Sequence, residues 1–348
     1  MQSSGDLAQA VEPGPRVVDG AVTWGFADPE HELAGVRLVQ ELGVPGDLLD
    51  FRRVPGGWAL TLEALAVLRM EYRLELRAGS GERQELCDPA NPLRAPGAFG
   101  EKSVLELPGY VPPDWLATTV DGTYDDLAFP AEELGGEIHV RVWTPANASG
   151  KLPMVVAHDG PEYDRLAQFT TFAAAKLPPL RVALVAPGDR NRWYSANPAY
   201  ATAMATTVLP ALAELTEGRP IGLGVSLGAL AMMHLHRTHP DTFAGLFLQS
   251  GSFFTPELDP QERDFSGFAP VAAFVASLAE GARPIPVTIT CGTVEENLAN
   301  NRRLADVLRA QGYPVNLVEV PDAHNFVAWR DALDPALTEL INAVLTRQ

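Results

Sequence analysis

The chain has 348 residues, 26 Lys+Arg against 44 Asp+Glu, and a formal charge of −18. That length accommodates two domains with a core each, and 46% apolar with 20% charged residues is the composition of an ordinary globular protein. The acidic balance argues against a nucleic-acid binder, which needs a basic face for phosphate, and against polybasic attachment to a membrane.

The opening segment, MQSSGDLAQAVEPGPR, has neither a basic n-region nor an apolar h-region, so no secretory signal is expected. No apolar run reaches the roughly 20 residues that span a bilayer. A cytoplasmic location is the expectation. Cys87 and Cys291 stand far apart and form no CxxC, which argues against a disulfide framework and a Cys-rich zinc site.

From Pro15 to Leu107 the segments are short and broken by turns. Residues 36–39 and 58–62 read as strands. In 70–76 the alternation is cleanest, with Met70, Tyr72, Leu74 and Leu76 on one face and Glu71, Arg73 and Glu75 on the other. Such period-2 patterns predict antiparallel strands with one wet face, hence a small β-sandwich. Three prolines within residues 108–115 mark the linker. The expected domains are 1–115, the sandwich, and 116–348. Edge strands of the first could pair two copies into a homodimer.

Beyond the linker the period changes. Strands are predicted at 137–144, 154–157, 182–186, 221–225, 246–249, 286–291 and 315–320. Helices are predicted at 199–215, 229–237, 295–310 and 327–345. This alternation predicts a mostly parallel α/β sheet with its site at the carboxyl ends of the strands.

Gly224-Val225-Ser226-Leu227-Gly228 matches G-x-S-x-G. A strand precedes it and an Ala-rich helix follows, the setting of a nucleophile elbow. Serine needs a base to attack at neutral pH. In this architecture the base follows the last strand, where His324 stands. The acid should follow the penultimate strand, where Glu295 is the first choice and Glu296 the second. Leu227 supplies one oxyanion amide, and Gly160 or Asp159 the other, because Pro161 has no N–H. His158 is expected to pack beside the pocket. The segment 189–194 sets Arg190 and Arg192 beside Trp193 and Tyr194, a set that could meet an anionic aromatic ligand.

Two patterns carry no chemistry. His234 and His236 would point about 200° apart on a helix, which is no metal cluster. The glycines around 222–228 lack the Gly-Lys-Ser/Thr of a phosphate loop.

With these residues in place, the chain resembles the enterochelin (catecholate siderophore) esterases, within the esterase D type of α/β-hydrolases. The resemblance runs through Met70-Glu71-Tyr72-Arg73-Leu74, Asp88-Pro89-Ala90-Asn91-Pro92, Leu107-Pro108-Gly109-Tyr110, His158-Asp159-Gly160, Arg192-Trp193-Tyr194, the serine pentapeptide, Gln249-Ser250-Gly251-Ser252 and His324-Asn325. Two positions depart from the common pattern: Thr206-Thr207 replaces an acidic pair, and Asn325 replaces Asp.

The resemblance implies an early-set immunoglobulin-like sandwich ahead of an α/β-hydrolase fold. It carries over Ser226 as nucleophile, His324 as base and Glu295 as acid. It implies cytoplasmic hydrolysis of a ferric siderophore triester, with no cofactor or metal. General carboxylesterase, feruloyl- or acetyl-esterase and acyltransferase activities share that triad. A catalytically silent ligand-binding protein is the alternative from another class.

Overall fold

A computed structural model describes residues 11–63, 65–146, 148–281 and 284–346. The chain divides into two compact units between Val111 and Pro112, and residues 321–323 group with the first.

The first unit is antiparallel. One sheet orders its strands Gly14–Val18, Ala21–Ala27, Gly57–Glu63, Arg52–Val54. The other holds Leu33–Gln40, Arg69–Ala78, Lys102–Glu106 and Arg94–Ala95, with Arg83–Leu86 added against Arg69–Ala78. Trp24 and Tyr72, both fully buried, meet edge to face at 5.9 Å in its core. Met70, Tyr72 and Leu74 point inward as their alternation predicts. Glu71 departs from it. It is buried too, paired with Arg69 at 3.0 Å, so the opposite face is not wet there. A carboxylate is tolerated in that place because a guanidinium on the same face neutralises it.

The second unit carries one eight-stranded sheet. Its strands are β1 (Gly122–Ala131), β2 (Gly136–Pro145), β3 (Met154–Ala157), β4 (Arg181–Val185), β5 (Ile221–Val225), β6 (Gly245–Gln249), β7 (Val287–Gly292) and β8 (Val315–Val320). The spatial order is β1-β2-β4-β3-β5-β6-β7-β8. β1, β2 and β4 pair antiparallel, and every pairing from β4 through β3 to β8 is parallel. Strand side chains alternate between two cores. Val156, Ala183, Leu246 and Ile289 face one, and Val155, Leu184, Leu223 and Phe247 the other. Helices cover both faces, so the central strands β3 and β5 read as unbroken apolar runs, whereas β2, near the antiparallel edge, alternates buried and exposed residues.

β1 was not legible. Its first five residues are exposed, and Asp125, Asp126 and Pro130 suit a solvent-facing edge strand. Three predicted helices are shorter or broken. Residues 199–215 form Pro198–Ala203, a π turn at Met204–Val208, and Leu209–Leu212. Pro210 has no N–H and its ring crowds the preceding turn, so the regular ladder cannot continue. Residues 327–345 split into Phe326–Asp331 and Ala336–Leu345, again at a proline, Pro335. The predicted helix at 295–310 starts only at Leu298. The segment 189–194, read as a loop, contains the short helix Arg190–Tyr194.

Candidate active site

Ser226 sits between β5 and the helix Leu227–Thr238 with φ 54° and ψ −125°. That backbone is costly for any residue but glycine. Three constraints hold it. Ser226 N–H donates to Gln249 O at 2.9 Å. The Ser252 amide donates to Ser226 O at 3.2 Å. A Cβ on Gly224 would lie 2.3 Å from Gly228 O, so strand and helix approach as only glycine permits. The Ser226 hydroxyl is 3.2 Å from that of Ser252.

The loop after β7 folds back on itself. Glu295 is not part of the following helix; its N–H meets Gly292 O at 3.3 Å. Its carboxylate is buried and receives three donors. Gly292 N–H and Ser250 Oγ reach Oε1 at 2.8 and 2.7 Å. His324 Nδ1 stands 2.8 Å from Oε2. Glu296, the other candidate acid, is exposed, and its contact is with Gln261 Nε2 at 3.4 Å. The structure therefore brings Glu295, not Glu296, to His324. The His324 ring meets Trp329 edge-on at 4.9 Å. Asn325 caps the helix Phe326–Asp331, accepting from Ala328 N–H at 2.9 Å. Asparagine performs that task as well as aspartate.

Beyond β3, Asp159 has φ 52° and opens the helix Gly160–Ala167. Its N–H donates to Tyr194 Oη at 3.2 Å. Its carboxylate takes a bidentate clamp from Arg190, both bonds 2.8 Å. Gly160 backs directly on β4, where a Cβ would lie 2.3 Å from Leu184 Cα. His158 is fully buried. Gly228 O can only accept, so Nδ1 carries the proton of that 3.0 Å bond, and Nε2 accepts from Tyr200 Oη at 3.0 Å. Burial pushes its pKa down to about 4, so this imidazole is neutral and structural.

Of the residues expected at a ligand, Trp193 and Tyr194 are in the interior, 5% and 0% exposed. They stack with Tyr200 and His158 and shape the loop from behind. Arg190 is committed to Asp159. Arg192 is exposed, with one N–H 3.3 Å from Leu134 O. His236 bonds Tyr313 Oη at 3.2 Å, and His234 packs on Phe274. Among the described residues no group of three or more His, Cys, Asp or Glu side chains could hold a metal ion. No helix there is long and apolar enough to cross a membrane.

Sequence reasoning attached no role to Gln249, Ser250, Ser252 or Trp329. The signal was present, because a polar run, Gln-Ser-Gly-Ser, ends an apolar strand at the sheet's active end. Asn297 and Asn301 pin that run, donating to Ser250 O at 3.1 Å and Gly251 O at 2.8 Å.

A family model with the description "Putative esterase" matches residues 131–340, more than half of the chain. This chain belongs to the esterase family. Its curated relatives include the Iron(III) enterobactin esterase of Dickeya dadantii, 24% identical over 282 residues. That match covers 71% of this chain and 63% of the relative, less than two thirds of its length. The enterobactin esterase of Shigella flexneri, crystallised in the presence of enterobactin, superposes with a TM-score of 0.75 at 20% identity. It covers 96% of this chain and 97% of its own. The ferric enterobactin esterase of Salmonella typhimurium gives 0.74 at 20% identity, over 96% and 98%. This member of the family thus has an N-terminal antiparallel β-sandwich followed by an α/β-hydrolase-like sheet, the fold of the enterobactin esterases.

Proposed function

We propose that the protein hydrolyses carboxylic esters through Ser226, His324 and Glu295, and that its substrate is a catecholate triester carrying ferric ion. The observation that carries the catalytic reading is the 2.8 Å bond between His324 Nδ1 and Glu295 Oε2. An ionised carboxylate accepts only. Nδ1 then holds the proton, and Nε2 is left as the base.

In this mechanism the Ser226 hydroxyl turns from Ser252 to His324 Nε2, gives up its proton and attacks the ester carbonyl. The oxyanion is met by Leu227 N–H and Gly160 N–H. Both stand at the first position of a helix, where an amide has no acceptor within its own helix. Asp159 N–H is already used by Tyr194. His324 passes the proton to the departing alkoxide, and water deacylates Ser226 by the same route.

The substrate reading is supported by the enterobactin esterase activity named for the Dickeya relative. Arg192, exposed, is the cation of its helix left to meet catecholate oxygens. The test is hydrolysis of a ferric tri-catecholate triester read by mass spectrometry, beside a small chromogenic acyl ester, with Ser226→Ala as control. Linear trimer, dimer or monomer formed by the wild type alone supports the full reading. Cleavage of the acyl ester alone keeps the hydrolase and removes the siderophore. Cleavage that survives in Ser226→Ala overturns both.

A further inference from the structure

We propose that Ser250 is a positioning residue of this site, directed by Trp329 so as to favour the form of Glu295 that presents an unprotonated oxygen to His324. The inference rests on the triad reading above.

The wiring follows from donor inventory. Trp329 Nε1–H reaches Ser250 Oγ at 2.9 Å, and an indole nitrogen can only donate. Ser250 Oγ therefore accepts there, and its single proton is left for Glu295 Oε1 at 2.7 Å. Gly292 N–H donates to the same oxygen at 2.8 Å. With two donors aimed at it, Oε1 cannot carry a proton of its own. A proton on Oε2 would face His324 Nδ1 and force the imidazole into the tautomer that cannot deprotonate Ser226. The Ser250 hydroxyl thus favours the one arrangement in which Nε2 is free.

The backbone at Ser250 is built to hold this hydroxyl in place. Ser250 has φ 47°, a strained value for a non-glycine residue. It persists because Ser250 N–H bonds Thr290 O at 2.7 Å and Asn297 Nδ2 bonds Ser250 O at 3.1 Å. Ser250 itself is fully buried. Trp329 closes the ring, since the indole that directs Ser250 also lies edge-on to His324. Next to Ser250, the Gln249 side chain joins the same elements, bonding Thr290 Oγ1 at 3.1 Å, Trp329 O at 3.0 Å and the Tyr163 hydroxyl.

The other titratable groups around the pair are few. Cys291 lies beside Glu295 and Ser250, and burial holds its thiol protonated. Glu262 is close enough to His324, Glu296 and Asp259 to feel their charges, and burial raises its pKa. Asp322, on the loop of His324, accepts from the Ala323 amide.

The test is Ser250→Ala in the full chain, assayed on a small chromogenic acyl ester and by fluorophosphonate labelling across pH. Without the hydroxyl, Oε1 keeps one donor instead of two, so the arrangement with a proton on Oε2 and the wrong imidazole tautomer is less disfavoured. The expected result is kcat about tenfold lower or more, the size of one charge-assisted hydrogen bond, with KM unchanged. The acid limb of the labelling rate should also move to higher pH. A purely structural role would not move that limb. Trp329→Phe keeps an aromatic ring beside His324 and removes the N–H together with the pyrrole part of the indole. It should shift the limb in the same direction by less, and it decides the matter if Ser250→Ala does not fold. Wild-type kcat and an unmoved limb in either folded variant overturn the proposal. If Ser226→Ala still labels, the triad reading itself has failed, whatever Ser250 does.

Discussion

The amide of Asp159 donates to the hydroxyl of Tyr194 at 3.2 Å, and this one bond sorts the amides of the loop after β3. It occupies Asp159 N–H and leaves Gly160, the next residue, at the first position of its helix. The same aspartate is held from its other end by Arg190. The loop is thereby fixed at backbone and side chain before any ligand arrives, which is what an oxyanion site requires.

Arg190 and Arg192 should behave differently under mutation. Arg190→Ala strips the guanidinium from a carboxylate that is 3% exposed. Because the arginine itself is one third exposed, we expect a loss of about 1–3 kcal/mol, below the full value of a buried pair. Urea denaturation measures it. Arg192→Ala should leave the urea midpoint unchanged and raise KM for a catecholate ester but not for a neutral acyl ester. Equal midpoints for the two variants would contradict this division.

The two glutamates after β7 separate in the same way. Glu295→Gln places an amide against His324 Nδ1 and permits the wrong tautomer. Turnover should fall by about 10²-fold or more. Glu296→Gln, on an exposed side chain, should stay within about twofold of wild type.

Ser226 occupies a backbone conformation suited to glycine. Ser226→Gly should abolish fluorophosphonate labelling and stabilise the fold by about 1 kcal/mol as strain is relieved. Thermal melting of the labelled-dead protein is the measurement. A lower melting temperature would show that the elbow stores no strain.

Acid should weaken the fold through its buried histidines. Burial lowers the pKa of both His158 and His234 from 6.5 to about 4. Below 6.5 the unfolded chain binds protons that the folded chain refuses. Stability is therefore full above that pH and is lost as pH falls towards 4, by up to about 3 kcal/mol for each histidine. His234→Leu should flatten part of the slope between pH 6.5 and 4.5 in urea titrations. An unchanged slope would remove His234 from the account.

Much of this was legible in the sequence, for identifiable reasons. β3 and β5 have the bounds that their apolar runs predict, because these interior strands carry no polar positions, and β8 keeps its predicted bounds as an edge strand in which Asn316 and Glu319 interrupt the apolar residues. The turn at Ser226 was legible because a sharp strand-to-helix turn needs glycines at fixed places. The contact of Glu295 with His324 was legible because the loops after successive parallel strands lie side by side. β1 escaped because an edge strand need not alternate. Trp193 and Tyr194 were expected at the ligand because aromatic residues beside arginine look the same in a pocket and in a core. Ser250 and Trp329 had no role assigned because their function lies in a contact across 79 positions of chain, which no local pattern announces.

Trp329 has one further consequence. An indole is an emitter, and a protonated imidazole quenches it far more than a neutral one. With its ring edge-on to His324 and its N–H locked to Ser250, Trp329 is a built-in optical gauge. Trp329 is one of six tryptophans, so the emission that follows the charge of His324 is the part that Trp329→Phe removes, and it can be watched without adding a dye.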